Sequence, residues 1–92
     1  MAPAAPTNLV ATAGTRQVSL TWANHASVAT SVAIERRQGS SGTFTQITTV
    51  AATAVSYVNT GLPRRTSYSY RVRAKNGTLN STYSNTATAT TR

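Results

Sequence analysis

The chain has 92 residues, one domain's worth, with no cysteine and a formal net charge of +8 from nine Lys or Arg against one acid, Glu35. That composition excludes a disulfide framework or thiolate metal site, and leaves stability to a small apolar core closed by backbone ladders. So lopsided a charge attracts polyanions over long range. It also serves plain solubility: charge scattered over the surface favours that use, a charged stripe favours binding.

No apolar stretch reaches the roughly 18 residues a membrane span needs. Residues 1–5, an Ala/Pro lead, carry neither the basic nor the apolar segment of a signal peptide and read either as the end of a linker or as a lead appended to an excised domain. Pro6 closes the lead, and Thr7 to Ala13 reads as a first, edge-compatible strand. After a turn at Gly14-Thr15-Arg16, Val18, Leu20 and Trp22 alternate with Gln17, Ser19, Thr21 and Ala23, a period-2 strand with its large side chains inward. Trp22 continues the apolar face and is expected in the core.

Residues 24–30 form a loop, and the third strand, Ser31 to Gln38, turns Val32, Ile34 and the root of Arg36 inward and Ala33, Glu35 and Arg37 outward. Gly39 to Gly42 is a turn. Thr43 to Val50 is a strand with two mixed faces, so alternation does not choose its buried side; Phe44 and Ile47 are expected at opposite rims. Val55 to Val58 is a short strand, and Asn59-Thr60-Gly61 leads into Leu62-Pro63-Arg64-Arg65-Thr66.

The following strand is the most regular. Tyr68, Tyr70, Val72 and Ala74 share one face; Ser69, Arg71, Arg73 and Lys75 share the other. Residues 76–82 form a hairpin loop beginning with an Asn-Gly pair, and Tyr83 to Thr91 is the last strand. Seven short strands at regular spacing, with no helix signal, predict an all-β, seven-stranded antiparallel sandwich.

At this point Pro6 to Thr12, Val18 to Trp22, Ile34-Glu35-Arg36, Gly61-Leu62, Tyr68 to Asn76 and Tyr83-Ser84-Asn85 together resemble a fibronectin type III domain. The closest flavour is the bacterial kind found beside secreted glycoside hydrolases and surface proteins, and the resemblance spans residues 6–91. It implies an immunoglobulin-like fold with Trp22, Leu20, Ile34, Leu62, Tyr68, Tyr70 and Val72 in its core. It also implies a tyrosine corner, in which the Tyr68 hydroxyl bonds back to backbone in the preceding turn. On that expectation Tyr68→Phe costs roughly 1–3 kcal/mol.

The chain departs from the family pattern around the corner. Asn59 stands where an Asp is frequent, Pro63 comes one place early, and Arg65 takes a glycine position. If that position needs positive φ, Arg65 is strained; otherwise the turn has changed type. No Arg-Gly-Asp tripeptide is present, so integrin binding does not carry over.

Catalysis is hard to build from one carboxylate and one His: there is no acid pair, no Ser/His/Asp set and no cluster of metal ligands. No catalytic, metal or cofactor residues are therefore predicted. His25 reads as a solvated loop residue. Asn76-Gly77-Thr78 and Asn80-Ser81-Thr82 match the glycosylation pattern, which arises readily by chance in so Thr/Ser-rich a chain. Because the third, sixth and seventh strands are neighbours in a type III domain, Arg37, Arg71, Arg73 and Lys75 form a candidate anion-binding patch, with Glu35 pairing one arginine. The competing reading is a solvated face whose arginines block aggregation. No aromatic is expected on that face, which disfavours specific nucleic-acid binding.

The sequence thus predicts a non-catalytic spacer and interaction module of an extracellular or cell-surface bacterial protein. Its expected partners are flanking domains and, through the basic face, an anionic polysaccharide or other polyanion. The alternative is a stand-alone assembly protein contacting neighbouring subunits, as in a virion capsid, tail decoration or filament. An engineered binding scaffold is disfavoured, because loops 24–30 and 76–82 lack the Tyr and Trp enrichment of selected binding loops.

Overall fold

A computed structural model describes residues 3–25, 29–39 and 41–92. The middle of the 24–30 loop, part of the 39–42 turn and the first two residues of the lead lie outside the described residues. Eight strands form two antiparallel sheets: β1 (Thr7–Gly14), β2 (Gln17–Ala23), β3 (Ser31–Gln38), β4 (Thr45–Ala51), β5 (Ser56–Asn59), β6 (Ser67–Asn76), β7 (Leu79–Asn80) and β8 (Ala87–Thr90). One sheet runs β1-β2-β5; the other runs β4-β3-β6-β7, with β8 also paired to β6. The eighth strand is the two-residue β7, inside the segment read as a hairpin loop.

The period-2 faces close on each other. Val18, Leu20 and Trp22 of β2 meet Val32 and Ile34 of β3 and Tyr68, Tyr70 and Val72 of β6, with Leu9, Leu62 and Ala89 completing the buried cluster. Each of these side chains is removed from water, Leu62 from the turn before β6 and the others from the inner sides of their strands, and that burial is the main drive holding the sheets together.

β4 settles the ambiguity of its mixed faces with a bulge. The pairing with β3 slips between Ile34 and Glu35: Ile34 faces Thr48, but Glu35 faces Gln46. The extra residue re-aims the strand, so that Val50 and Ile47, although of opposite parity, both pack on the core.

A second bulge interrupts β1 between Thr7 and Val10, where Asn8 adopts φ 56°. The Asn85 side chain repairs the gap: its Oδ1 accepts from Leu9 N at 2.9 Å and its Nδ2 donates to Leu9 O at 2.9 Å. The last strand is accordingly shorter than predicted. Residues 81–86 are not strand, and hydroxyls stand in for ladder groups. Ser81 Oγ accepts from Ala74 N at 2.9 Å and Ser84 Oγ from Val72 N at 3.0 Å.

β1 runs from Thr7, opposite Ala23, to Gly14, opposite Gln17, and Arg92 N donates to Gly14 O. The chain therefore enters at one end of the sandwich and leaves at the other. The molecule measures 40 × 23 × 19 Å.

Candidate functional site

On the outer face of the larger sheet, register sets Glu35 opposite Arg71, Ala33 opposite Arg73, Arg37 opposite Ser69 and Ser31 opposite Lys75. Arg37, Arg71, Arg73 and Lys75 thus share one face, but they are not equivalent. Glu35, on the outer side of its strand, is only 5% exposed. Its Oε1 accepts from Arg71 Nη2 at 2.8 Å and Nε at 2.9 Å. Its Oε2 accepts from the Tyr83 hydroxyl at 2.7 Å and lies 3.9 Å from Arg73 Nη2. Glu35 therefore engages two arginines rather than one.

Contrary to expectation, aromatics do occupy this face. Phe44 leaves the rim to lie under Arg37 at 4.5 Å and Arg71 at 4.2 Å, and Tyr83 lies against Arg71 at 3.6 Å and Arg73 at 4.7 Å. The order Arg37–Phe44–Arg71–Tyr83–Arg73 is an alternating ladder of guanidinium planes and rings, each contact drawing on the negative face of the ring. Burial first, then the bond to Glu35, pushes the Tyr83 hydroxyl above the usual phenol range. Phe44 was invisible because it precedes β4 and the bulge, and Tyr83 because its segment is not a strand. Lys75 stands apart from the ladder at the far end of the face, and among the described residues neither it nor Arg37 has an acid partner.

Inside the sandwich a second polar group bridges the sheets. Asn59 Oδ1, on β5, accepts from the Tyr70 hydroxyl at 2.8 Å and from Arg36 Nη1 at 3.0 Å, while the Arg36 guanidinium lies 5.0 Å from the Tyr68 ring. Tyr70 has no exposed surface, and burial pushes its hydroxyl pKa up to about 12 against the opposing pull of Arg36. The expected tyrosine corner is corrected here. Tyr68 is buried, but among the described residues its hydroxyl makes no hydrogen bond, and the cross-sheet bond belongs to Tyr70.

The turn before β6 is tied instead by Thr91. Its Oγ1 donates to Pro63 O at 2.6 Å and accepts from Thr66 N at 3.0 Å. In that turn Arg65 has φ 55°, so the glycine position is kept in geometry while an L-residue bears its cost.

Two clefts, of about 390 and 340 Å³, open beside Pro6 and beside Arg36; neither is lined by an acid or a histidine. Among the described residues no group of three or more His, Cys, Asp or Glu could hold a metal ion. His25 is exposed, with Nε2 2.7 Å from Thr7 Oγ1. No described helix is long and apolar enough to cross a membrane.

Two facing antiparallel sheets with a Trp- and Tyr-filled interior define an immunoglobulin-like β-sandwich. The fibronectin type III family model matches residues 4–90, and the chain belongs to that family. It is 32% identical to an Fn3-like protein from Clostridium thermocellum, covering 100% of this chain and 96% of that one, with a TM-score of 0.79. Similar folds occur in larger proteins. One is a β-1,2-glucanase from Parabacteroides distasonis (23% identity, TM-score 0.85, 98% of this chain and 13% of that one). Another is a stretch of titin (22% identity, TM-score 0.82, 99% and 33%). No curated protein matches the chain. Fibronectin type III domains are generally non-catalytic modules of multidomain proteins, and often extracellular.

Proposed function

We propose that this domain is a non-catalytic spacer and interaction module of an extracellular or cell-surface bacterial protein. The carrying observation is the path of the chain, which enters at the Thr7 end of β1 and exits beside Gly14. Covalent neighbours on the two sides are held apart by the length of the sandwich. The bacterial relative and the occurrence of the fold within a glucanase support the setting. Chemistry on a substrate is disfavoured because the one carboxylate is buried and engaged by Arg71 and Tyr83, leaving the exposed His25 without a carboxylate to work with as an acid/base pair.

The outer-face cations add a weak attraction for anionic polysaccharide or a similar polyanion. Glu35 offsets one of the four charges, and the ring ladder holds three of them in fixed orientation. Titrating heparin against parent and an Arg71→Ser/Arg73→Ser variant tests this: weaker retention of the variant is expected, and equal retention removes the sheet face from the function.

A second reading, assembly with neighbouring subunits, is favoured by the outer face of the smaller sheet. Val10 and Val58 stand 52% and 47% exposed there, among uncharged Thr12, Ser19, Thr21 and Ser56. Size-exclusion chromatography at rising salt separates the readings. A spacer stays monomeric throughout, whereas particles that grow as salt screens the +8 charge would replace the spacer with an assembly subunit.

A further inference from the structure

The remaining arginines collect at the pole where the chain leaves. Arg16 sits in the β1–β2 turn, Arg64 and Arg65 in the turn before β6, and Arg92 after β8. Backbone bonds join the three segments: Arg16 N donates to Arg92 O (3.3 Å), Leu62 N to Arg16 O (3.1 Å), Arg65 N to Thr91 O (3.1 Å) and Arg92 N to Gly14 O (2.9 Å). The Thr91 hydroxyl fastens the same turn through Pro63 O and Thr66 N. All four arginines are exposed. Among the described residues none has an ion-pair partner, since the sole acidic side chain, Glu35, is buried on the sheet face with Arg71 and Arg73.

Arg16 and Arg65 also occupy left-handed backbone, φ 58° and 55°, where glycine would be the low-energy choice and an L-residue costs stability. At these two positions charge is present where local folding favours its absence. The sheet-face arginines differ: they are covered by rings and partly neutralised. The pole is therefore the least compensated cationic surface of the molecule, set on a rigid, cross-bonded backbone that needs little ordering on binding.

We propose that this pole, formed by Arg16, Arg64, Arg65 and Arg92, binds a flexible polymer bearing sulfate or phosphate groups. Guanidinium forks match tetrahedral oxyanions bidentately. No aromatic residue belongs to the segments 15–16, 62–66 or 91–92, so these segments supply no ring for stacking bases, which favours a polymer without them. The site shares no residue with the sheet-face cations Arg37, Arg71, Arg73 and Lys75.

The test is calorimetric titration of the domain with a heparin-derived hexasaccharide and, in a second arm, with inorganic polyphosphate of similar charge. Parent is compared with Arg16→Gly/Arg65→Gly and with Arg37→Ser/Lys75→Ser, which removes the same charge from the sheet face. Glycine relieves the left-handed backbone, so the pole variant is expected to melt no lower than parent yet bind at least tenfold more weakly. Its log K against log salt slope should be shallower by about one to two. Binding in either arm with that loss supports the site, and the tighter arm identifies the oxyanion. Binding in neither arm overturns it, as does an equal or larger loss in the Arg37→Ser/Lys75→Ser variant. Tighter binding of a charge-matched DNA duplex that is lost on the same pole substitutions would also overturn it, by moving the ligand to nucleic acid.

Discussion

Asn59 is the residue through which the two sheets exchange a polar contact. One amide oxygen takes two donors, Tyr70 Oη and Arg36 Nη1, so removing one leaves the acceptor satisfied while removing the acceptor strands both donors. Tyr70→Phe is expected to cost about 1 kcal/mol and Asn59→Leu about 1–3 kcal/mol, whereas Tyr68→Phe is near neutral; urea denaturation of the three variants checks the order. Tyr70 also sets an alkaline limit. Its folded pKa of about 12 lies above the ordinary 10.0, so the unfolded chain loses its proton first. Stability is whole below pH 10 and falls by roughly 2–3 kcal/mol as pH rises towards 12. Tyr70→Phe should flatten that slope. On the outer face, Glu35→Gln is expected to destabilise the fold by about 1–3 kcal/mol, because Arg71 keeps a neutral partner where it had a charged one. The same change should lower the Tyr83 titration, followed by ultraviolet absorbance, towards the ordinary phenol range.

The elements differ in how openly the sequence displays them. β2 and β6 are plain in the order of residues because each inner position is large and apolar and each outer one polar, and the register then places Arg71 and Arg73 outward beside Glu35. β4 could not be read, because a bulge lets two parities share one face and alternation carries no mark of it. The segment 83–86 reads as strand because its residues continue the small polar run of the last strand, although the Ser84 and Asn85 side chains, like that of Ser81 before them, complete the ladders of β6 and β1. The ring ladder of the candidate site was hidden for the same reasons, since Phe44 immediately precedes β4 and Tyr83 lies within the irregular segment before β8. Thr91 illustrates the cost of such substitutes for regular pairing. Thr91→Val, which keeps shape but removes the hydroxyl from Pro63 O and Thr66 N, should cost about 1–3 kcal/mol. It should also speed hydrogen exchange at the Thr66 amide relative to the β6 amides.

At the scale of the whole molecule, charge is sorted rather than spread: a ring-covered face on the larger sheet, an uncharged face on the smaller, and free arginines at the exit pole. The composition disclosed the excess of base but not its distribution, which depends on turns far apart in sequence that meet only after the sheets close. The same closure sends the chain in at one end and out at the other, and the spacer role rests on that. Small-angle scattering from two copies joined head to tail by the native lead is the most direct test. Module centres about 40 Å apart, the long dimension of one sandwich, are expected; a separation near 23 Å, its width, would mean that the copies fold back side by side and that the domain is no spacer.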